Sequence, residues 1–324
     1  MSARAAEGSA VVLVDPRLGA VLPATALDVV RRATDVYAGS DLPERVVVAL
    51  GVPAAPAEVP LDRPVVVLAV QATEPAAATL VAAGAPVIAT DPPPGAGLLE
   101  AADVMDVLRS PGGCPWDAEQ THESLRQYLV EETFELLEAI EDGDRVALRE
   151  ELGDVLLQVL FHSRVAAEHP DDPFTVDDVA EDLAGKLVRR HPHVFGESDP
   201  AVRDAVTQQR RWEELKQVEK QRQSSMDGVA LGQPAVSLAA KLTQRATRAH
   251  LPLDLLPGKG SDDVESLFAL AAAIKLTGVD PEGALRALGR RFAGDMRAAE
   301  RNAREAGVDP LGMTADDWRR FWPR

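Results

Sequence analysis

Two groups of acidic residues stand out in the middle of the chain because of their spacing. The first is Glu131–Glu135, with the sequence EETFE, and the second is Glu151–Asp154, with the sequence ELGD. On a helix, residues three or four apart lie on the same side, so each group crowds its carboxylates together. Gly143 lies between the groups, where it can end the first helix and let the second run back antiparallel. The spacing therefore predicts that carboxylates from two neighbouring helices meet.

Clustered carboxylates repel one another unless a cation lies between them. Mg²⁺ takes oxygen ligands and is usually shared between carboxylates, water and substrate phosphates, so two carboxylates from each helix would suit one or two such ions. The alternative is a solvated acidic face. We favour the metal site because Val155–Phe161, directly after Asp154, is apolar almost all round and is expected to be buried on most sides. Carboxylates beside such a segment are partly desolvated, which is costly without a partner.

Basic side chains follow on a helix that is expected to begin near Thr175 and to stop at Pro192. Lys186 and Arg190 are four residues apart on it, and Arg189 is adjacent. Guanidinium and ammonium groups hold polyphosphates and stabilise the charge of a departing pyrophosphate. Spacing alone, however, favours a simpler interpretation, in which these residues complement the dipole at the helix C-terminus.

Trp212 and Lys216 repeat the four-residue spacing on the next predicted helix. An indole face can stack on a nucleobase while the lysine reaches a phosphate, which suits many different bases. Trp212 fits equally well as a core residue beside Leu215 and Val218.

Trp116 and Asp117 are expected in the loop before the first long helix, for which Thr121 is a suitable N-cap. They would either close over the base or sugar or form a structural lid. Cys114 has no activating base in evidence and is interpreted as structural.

Residues 102–222 together resemble the MazG family of nucleoside triphosphate pyrophosphohydrolases. The E-E-x-x-E and E-x-x-D pair is the signature of that family, and Glu131–Glu135 with Glu151–Asp154 matches it without a gap. Three further segments are also similar to the family: Gly113–Thr121, Lys186–Phe195 and Trp212–Lys216. Several motifs in the same order are far more specific than a single acidic pair.

The resemblance implies Mg²⁺-dependent hydrolysis of NTPs or dNTPs between the α- and β-phosphates, with broad specificity, in a helical and usually dimeric unit; Mn²⁺ is a possible substitute. It implies that the metal ligands are Glu132, Glu135, Glu151 and Asp154. Glu131 remains open as a ligand, as a group that orients a ligand, or as the base that orients water. The resemblance also favours substrate binding by Lys186, Arg189, Arg190, Trp212, Lys216, Trp116 and Asp117, and it makes Glu131, Glu132, Lys186 and Arg190 the candidate catalytic residues.

Two alternatives to a broad nucleotide pyrophosphohydrolase remain. One is an enzyme with a narrow substrate, such as dUTP or a phosphoribosyl nucleotide, since related helical folds use similar acidic clusters. The other is a non-catalytic helical interaction protein whose acidic residues face solvent or bind a structural cation. The phosphate-binding and base-binding candidates around the acidic groups speak against this second alternative.

The predicted fold is mainly α, in three stretches. Residues 1–97 alternate apolar strands and helices, which is typical of a small α/β domain with a parallel sheet. Residues 98–223 form an all-α bundle of antiparallel helices, and residues 224–324 a second helical stretch. In the first stretch we predict strands at Val11–Val14, Val46–Leu50, Val65–Val70 and Pro86–Ala89, and helices near Thr25–Ala38 and Glu74–Ala83.

The third stretch resembles a degenerate copy of the second. Asp262–Phe268 is similar to Glu151–Leu157, and Arg290-Arg291 and Trp318 are similar to Arg189-Arg190 and Trp212. The copy has no E-E-x-x-E helix, and Ala287 and Trp322 occupy the positions equivalent to the two lysines. We therefore expect it to pack or dimerise rather than to catalyse.

The first stretch is weakly similar to the start of a tetrapyrrole methylase domain, through Val11–Val14 and Ala26–Tyr37. Asp15–Gly19 replaces the glycine-rich turn that would bring the backbone close to a cofactor. We expect this domain to be inactive, without methyl transfer or S-adenosylmethionine binding.

Composition limits the partners. The formal charge of -18 argues against binding of DNA or RNA, because affinity for a polyanion depends on Lys and Arg. The single cysteine excludes an internal disulfide framework and fits a reducing compartment. Because the N-terminal apolar run is too short for a signal peptide or a spanning helix, we expect a cytoplasmic protein without a membrane partner.

Overall fold

The computed structural model describes residues 4–196, 204, 207–208, 224–258 and 262–323. The chain falls into two compact units that divide between Arg189 and Arg190. The predictions for Trp212 and Lys216 lie outside the described residues.

The first unit begins with a parallel sheet in the order β2-β3-β1-β4. Its strands are β1 (Ala10–Leu13), β2 (Asp35–Ala38), β3 (Val65–Ala69) and β4 (Val87–Ile88). Helices α1 (Leu27–Arg32) and α2 (Glu44–Leu50) pack on one face of the sheet, and α3 (Pro75–Ala82) packs on the other. Strands β1 and β3 are buried on both faces, which explains their continuous apolar sequences.

The prediction of a strand at Val46–Leu50 was wrong, because these residues belong to helix α2. Three consecutive valines suggested a strand, but Val46 is buried whereas Val48 is 73% exposed, as expected for a helix with one face on the core. Gly51 ends the helix with a left-handed conformation, φ 64°.

The predicted helix at Thr25–Ala38 was also wrong in its second half. Helix α1 ends at Arg32, and the following residues form the edge strand β2, which pairs with β3. The backbone N–H of Thr34 donates to the carbonyl of Pro64 and so starts this pairing. Contacts with β3, which are distant in sequence, thus override the local helical pattern.

Five helices follow the sheet: α4 (Ala96–Arg109), α5 (Pro115–Glu119), α6 (His122–Asp142), α7 (Arg145–Ala166) and α8 (Val176–Arg190). All their residues except Arg190 belong to the first unit. Helices α6 and α7 form an antiparallel hairpin, against which α4 packs. Thr121 caps α6 through a capping box with Ser124, and Gly143 ends it in the left-handed conformation, φ 66°. The predicted hairpin is thus present with its predicted ends.

The helical core of this unit contains Met105, Leu125, Leu160 and Phe161. The expectation that Val155–Phe161 is buried on most sides was wrong for the isolated chain, since Leu157 is 39% exposed and Val159 is 41% exposed. Helices α4 and α6 pack against α7, but several apolar residues of α7 remain at the surface.

The sheet layer and the helices belong to the same compact unit. Helix α4 packs against the short turn Pro16–Leu18, and Arg45 forms an ion pair with Asp103 at 3.0 Å. The proposed boundary at residue 97 lies within this unit, near the start of α4, and stays a prediction.

The second unit is helical in its described part, with α9 (Pro192–Phe195), α10 (Ala235–Arg248), α11 (Asp263–Leu276), α12 (Pro281–Glu305) and α13 (Ala315–Phe321). Helices α10 and α11 pack together, and Ala299, Ala303 and Phe321 form a small core where α13 meets α12. Among the described residues of either unit, none of the helices is both long enough and apolar enough to span a membrane.

Candidate metal and nucleotide site

The α6–α7 hairpin brings the two acidic motifs together. Gly143 ends α6, and Asp144 starts α7 by accepting hydrogen bonds from the backbone N–H groups of Val146 and Ala147 at 2.8 and 3.1 Å. This tight connection sets the second helix antiparallel to the first, so Glu132 on α6 lies opposite Glu151 and Asp154 on α7.

Glu132, Glu151 and Asp154 each offer a carboxylate oxygen, and these oxygens lie within 4.8 Å of one another. Each of the three residues is half-buried. Hard divalent cations prefer oxygen ligands, and three carboxylates that converge from two rigid helices suit such an ion. The chemistry and spacing of these donors therefore fit the cation that the sequence led us to expect.

The electrostatics of the cluster also favour a cation. Burial, together with the charges of Asp154, Glu135 and Glu151, raises the pKa of Glu132 above its usual value. Burial and the charges of Glu135, Asp154 and Glu150 raise the pKa of Glu151 as well. A positive charge at this position would relieve the repulsion that raises both values.

Glu135 and Glu131 occupy different positions relative to this cluster. Glu135 is exposed, and its charge acts on both Glu132 and Glu151, so it borders the cluster. Glu131 is exposed and does not belong to the group of three carboxylates. Because adjacent helical residues point in different directions, Glu131 lies to one side of that group.

The basic candidates lie on α8, close to its end. Lys186 is half-buried, Arg189 is exposed and Arg190 is buried. A Cβ added to Gly185 would lie 3.0 Å from the Nη1 atom of Arg189, so this guanidinium lies beside Gly185. The Arg189 side chain therefore runs back along the helix. The backbone carbonyl of Arg190 accepts a hydrogen bond from the Gln208 side chain at 3.4 Å.

The prediction that Trp116 and Asp117 lie in a loop was wrong, because both belong to the short helix α5. Pro115 at the first helical position favours this turn of helix. Trp116 is 51% exposed and contacts Tyr128 and Phe161 edge to face, with ring centroids 6.0 and 6.2 Å apart. Arg109 donates a hydrogen bond to the backbone carbonyl of Asp117, which fixes α5 against α4.

Cys114 is half-buried and unpaired with another cysteine. Its backbone N–H donates to the carbonyl of Leu108 at 2.7 Å, at the start of α5.

Sequence reasoning missed Gln158 and a histidine pair on the same hairpin. Gln158 is buried at the α7 position four residues after Asp154. His122 and His162 stack with parallel rings, and their Nδ1 atoms lie 2.8 Å apart. A glutamine inside the apolar run Val155–Phe161 was a visible signal, whereas two histidines 40 positions apart gave none.

An antiparallel helical hairpin with converging carboxylates defines a class of helical protein whose acidic cluster could hold a divalent cation. Two family models match parts of this chain. The model described as MazG nucleotide pyrophosphohydrolase domain matches residues 120–195, and the model described as MazG N-terminal domain matches residues 9–88. The first of these segments contains both acidic motifs and the basic end of α8.

One curated relative covers almost the whole chain, and others cover about two thirds of it. It is 42% identical over 326 residues to a nucleoside triphosphate pyrophosphohydrolase of Mycobacterium tuberculosis, in an alignment that covers 97% of this chain and 94% of the relative. It is 34% identical over 256 residues to the nucleoside triphosphate pyrophosphohydrolase/pyrophosphatase MazG of Thermotoga maritima, covering 71% and 96% of the two chains. An Escherichia coli nucleoside triphosphate pyrophosphohydrolase is 30% identical over 248 residues, covering 68% and 93%. The chain belongs to the MazG family of nucleotide pyrophosphohydrolases.

Proposed function

We propose that this protein hydrolyses nucleoside triphosphates, NTPs and dNTPs alike, to a nucleoside monophosphate and pyrophosphate, and so clears nucleotides from the cellular pool. Family membership and the names of the relatives support the reaction. The convergence of Glu132, Glu151 and Asp154 is the structural observation that carries it, because hydrolysis of a highly charged anhydride needs a cation at the phosphates.

In this proposal, Glu132, Glu135, Glu151 and Asp154 hold Mg²⁺, with Mn²⁺ as a substitute. When bound, the cation supplies positive charge for the phosphate oxygens and for a water molecule that attacks the α-phosphorus. The rigid α6–α7 hairpin keeps the carboxylates in place, so the site needs little reorganisation when substrate arrives. Glu131, next to this cluster, is the candidate for orienting the attacking water.

The basic and aromatic residues complete the proposed substrate site. Lys186 and Arg190 act on the phosphates as catalytic cations, and Arg189 adds a further phosphate contact. Trp212 and Lys216 bind the base and a phosphate, with Trp116 and Asp117 over the base or sugar. These roles rest on the match of the motifs to the family.

We infer that the catalytic part is the helical bundle of residues 98–223, preceded by an inactive α/β domain (1–97) and followed by a degenerate helical copy (224–324). We also infer that the protein is a homodimer in the cytoplasm. Leu152 and Val159, which are seven residues apart and so lie on one side of α7, are exposed apolar residues that a second copy would cover. Sedimentation of the purified protein tests the dimer.

Product analysis tests the reaction. Purified protein is incubated with Mg²⁺ and a panel of NTPs and dNTPs in ¹⁸O-labelled water, beside a Glu132→Gln, Glu135→Gln variant. We expect monophosphate that carries the label, together with unlabelled pyrophosphate, and loss of both products in the variant. Label only in pyrophosphate would place the attack on the β-phosphorus. Turnover of dUTP or a phosphoribosyl nucleotide alone would support the narrow-substrate alternative.

A further inference from the structure

Gln158 occupies a position on α7 that links it to the acidic cluster. Glu151, Asp154 and Gln158 follow one another at spacings of three and four residues, so they form one stripe along the helix. Because Glu151 and Asp154 lie close to Glu132, this stripe faces α6. Gln158 is the next residue on the stripe, one helical turn further from the connection at Gly143, and it is only 4% exposed.

The side-chain amide oxygen of Gln158 is buried and has no hydrogen-bond partner among the described residues. Buried polar atoms are almost always paired, because an unpaired acceptor loses its hydrogen bonds to water without replacement. An apolar residue would fill this position in the run Val155–Phe161 without that cost. The glutamine therefore needs a donor that the described part of the chain does not supply.

Helix geometry gives the direction in which that donor lies. The Cα–Cβ bonds of a helix tilt towards its N-terminus, so a side chain covers the turn that precedes its own Cα. For Gln158, the preceding turn is the one that carries Asp154. On the antiparallel helix α6 the same rule tilts Glu132 towards the C-terminal part of α7, which contains Gln158. Both side chains thus lean towards the same space between the helices.

We propose that Gln158 is a positioning residue of the metal site, whose amide oxygen accepts a hydrogen bond from a water molecule in the hydration shell of the bound cation. This inference rests on the proposed metal site at Glu132, Glu151 and Asp154. Mg²⁺ keeps several of its water molecules when it binds to carboxylates, and each of them has two protons to donate. The carboxylates hold the ion while Gln158 orients one of its waters and gains the missing donor.

The test measures cation binding without nucleotide or turnover. Mn²⁺ is titrated into the metal-free full-length protein by electron paramagnetic resonance, for the wild type, for Gln158→Met and for Gln158→Glu. Because loss of an outer-shell partner typically costs 10- to 100-fold in metal affinity, we expect Gln158→Met to weaken Mn²⁺ binding by about 10-fold or more. Gln158→Glu keeps an acceptor oxygen and is expected to bind Mn²⁺ at least as tightly as the wild type.

Thermal unfolding provides the second readout. Methionine removes the unpaired acceptor at similar volume, so metal-free Gln158→Met is expected to unfold at a higher temperature than the wild type, and saturating Mn²⁺ is expected to remove this advantage. Gln127→Leu, at an exposed position on α6, is the control and should leave Mn²⁺ affinity unchanged.

Each failure has a distinct signature. If the wild type and Gln158→Met bind Mn²⁺ equally, the role of Gln158 is overturned while the metal site stands. If the wild type itself binds no Mn²⁺, the proposed metal site falls and the role of Gln158 falls with it. Should Gln158→Met not fold, a 10-fold loss of Mn²⁺ affinity in Gln158→Glu would contradict the proposal on its own.

Discussion

The carboxylate oxygens of Glu132 and Asp154 lie within 4.8 Å of each other although the two residues belong to antiparallel helices. Neither helix alone brings them together, so the turn at Gly143 and the packing of α6 on α7 are what create the cluster. Like charges this close destabilise the folded chain in the absence of a cation.

The first prediction concerns the pH dependence of the metal-free protein. Since the pKa values of Glu132 and Glu151 are raised in the folded state, the folded chain binds these protons more tightly than the unfolded chain does. Their contribution to stability is therefore fully present below the usual value of 4.5 and is lost as the pH rises through the folded pKa values. A Glu132→Gln, Glu151→Gln variant has no carboxyl groups to titrate at these positions, so it should not lose this stability as the pH rises.

Urea unfolding of metal-free protein between pH 4.5 and 7.5 measures the effect. The variant is expected to gain stability over the wild type as the pH rises, and Mg²⁺ is expected to stabilise only the wild type. The exposed residue Glu119, changed to Gln, is the control and should follow the wild type. A stability difference that stays constant over this pH range would show that the two carboxylates do not repel each other.

The second prediction concerns Arg109, which links the end of α4 to α5 and to the turn that follows α7. Its side chain is 6% exposed and forms a bidentate ion pair with Glu168, with hydrogen bonds of 3.0 and 2.9 Å. It also donates hydrogen bonds to the backbone carbonyls of Asp117 and Gln120. Because hydrogen bonds to charged groups contribute about 1.5–3 kcal/mol each, Arg109→Met is expected to lower the free energy of unfolding by about 3 kcal/mol. Arg109→Lys keeps the charge but not the planar fork, so it should recover only part of this loss.

Chemical denaturation compares these variants with Arg149→Met, a change at an exposed position on α7 that should stay within about 0.5 kcal/mol of the wild type. An Arg109→Met protein as stable as the control would contradict the role of this network.

The third prediction concerns Glu74, the buried N-cap of α3 in the sheet layer. Burial raises its pKa, but hydrogen bonds from Ala77 and Ser40 outweigh burial and hold the value below the usual 4.5. Glu74→Gln keeps the shape but weakens these bonds, so we expect a loss of about 1–3 kcal/mol in the free energy of unfolding at neutral pH. Glu74 stabilises the fold above pH 4.5, and this contribution is lost as the pH falls through the lowered folded pKa.

The loss in the free energy of unfolding caused by Glu74→Gln should therefore become smaller as the pH falls. This pH dependence is opposite in sign to the one expected for Glu132 and Glu151. Denaturation at pH 3.5 and pH 7 distinguishes the two behaviours. Because Glu74 lies in the sheet layer, Mn²⁺ affinity should not change, and a change would mean that this layer shapes the metal site.

The hairpin that carries the cluster was predictable because its signals are local. Thr121, Gly143 and the spacing of the acidic residues each act within a few residues along the chain, and they set the ends and faces of α6 and α7. The strands at residues 10–13, 65–69 and 87–88 were predictable for a similar reason, since runs of valine and isoleucine are typical of buried parallel strands.

The errors arose where distant contacts decide the structure. Val46–Leu50 has the composition of a strand, yet it folds as a helix because only one side of it meets the core. Asp35–Ala38 leaves the helical pattern because β3 offers it a ladder of hydrogen bonds. The unpaired amide oxygen of Gln158 depends on which groups pack around α7, and the spacing along α7 alone does not give these groups.

The last prediction separates backbone strain from packing at the hairpin turn. Gly143 has φ 66°, a conformation that costs a residue with a Cβ about 1–2 kcal/mol. A Cβ added there would meet nothing within 4 Å, so steric contact adds no further cost. Gly143→Ala is therefore expected to lower the free energy of unfolding by about 1–2 kcal/mol through the backbone alone. Gly143→Asn should cost less, because asparagine tolerates this conformation better.

Gly153 provides the matched control on α7. A Cβ at Gly153 would also meet nothing within 4 Å, but this glycine lies inside a regular helix. Gly153→Ala is thus expected to raise the free energy of unfolding by about 0.5–1 kcal/mol, because alanine loses less conformational entropy in a helix. Urea denaturation of both variants should give changes of opposite sign from the same chemical substitution. If both variants lose stability, a neighbour must crowd the outer face of α7, as a second copy of the chain seated on Leu152 would.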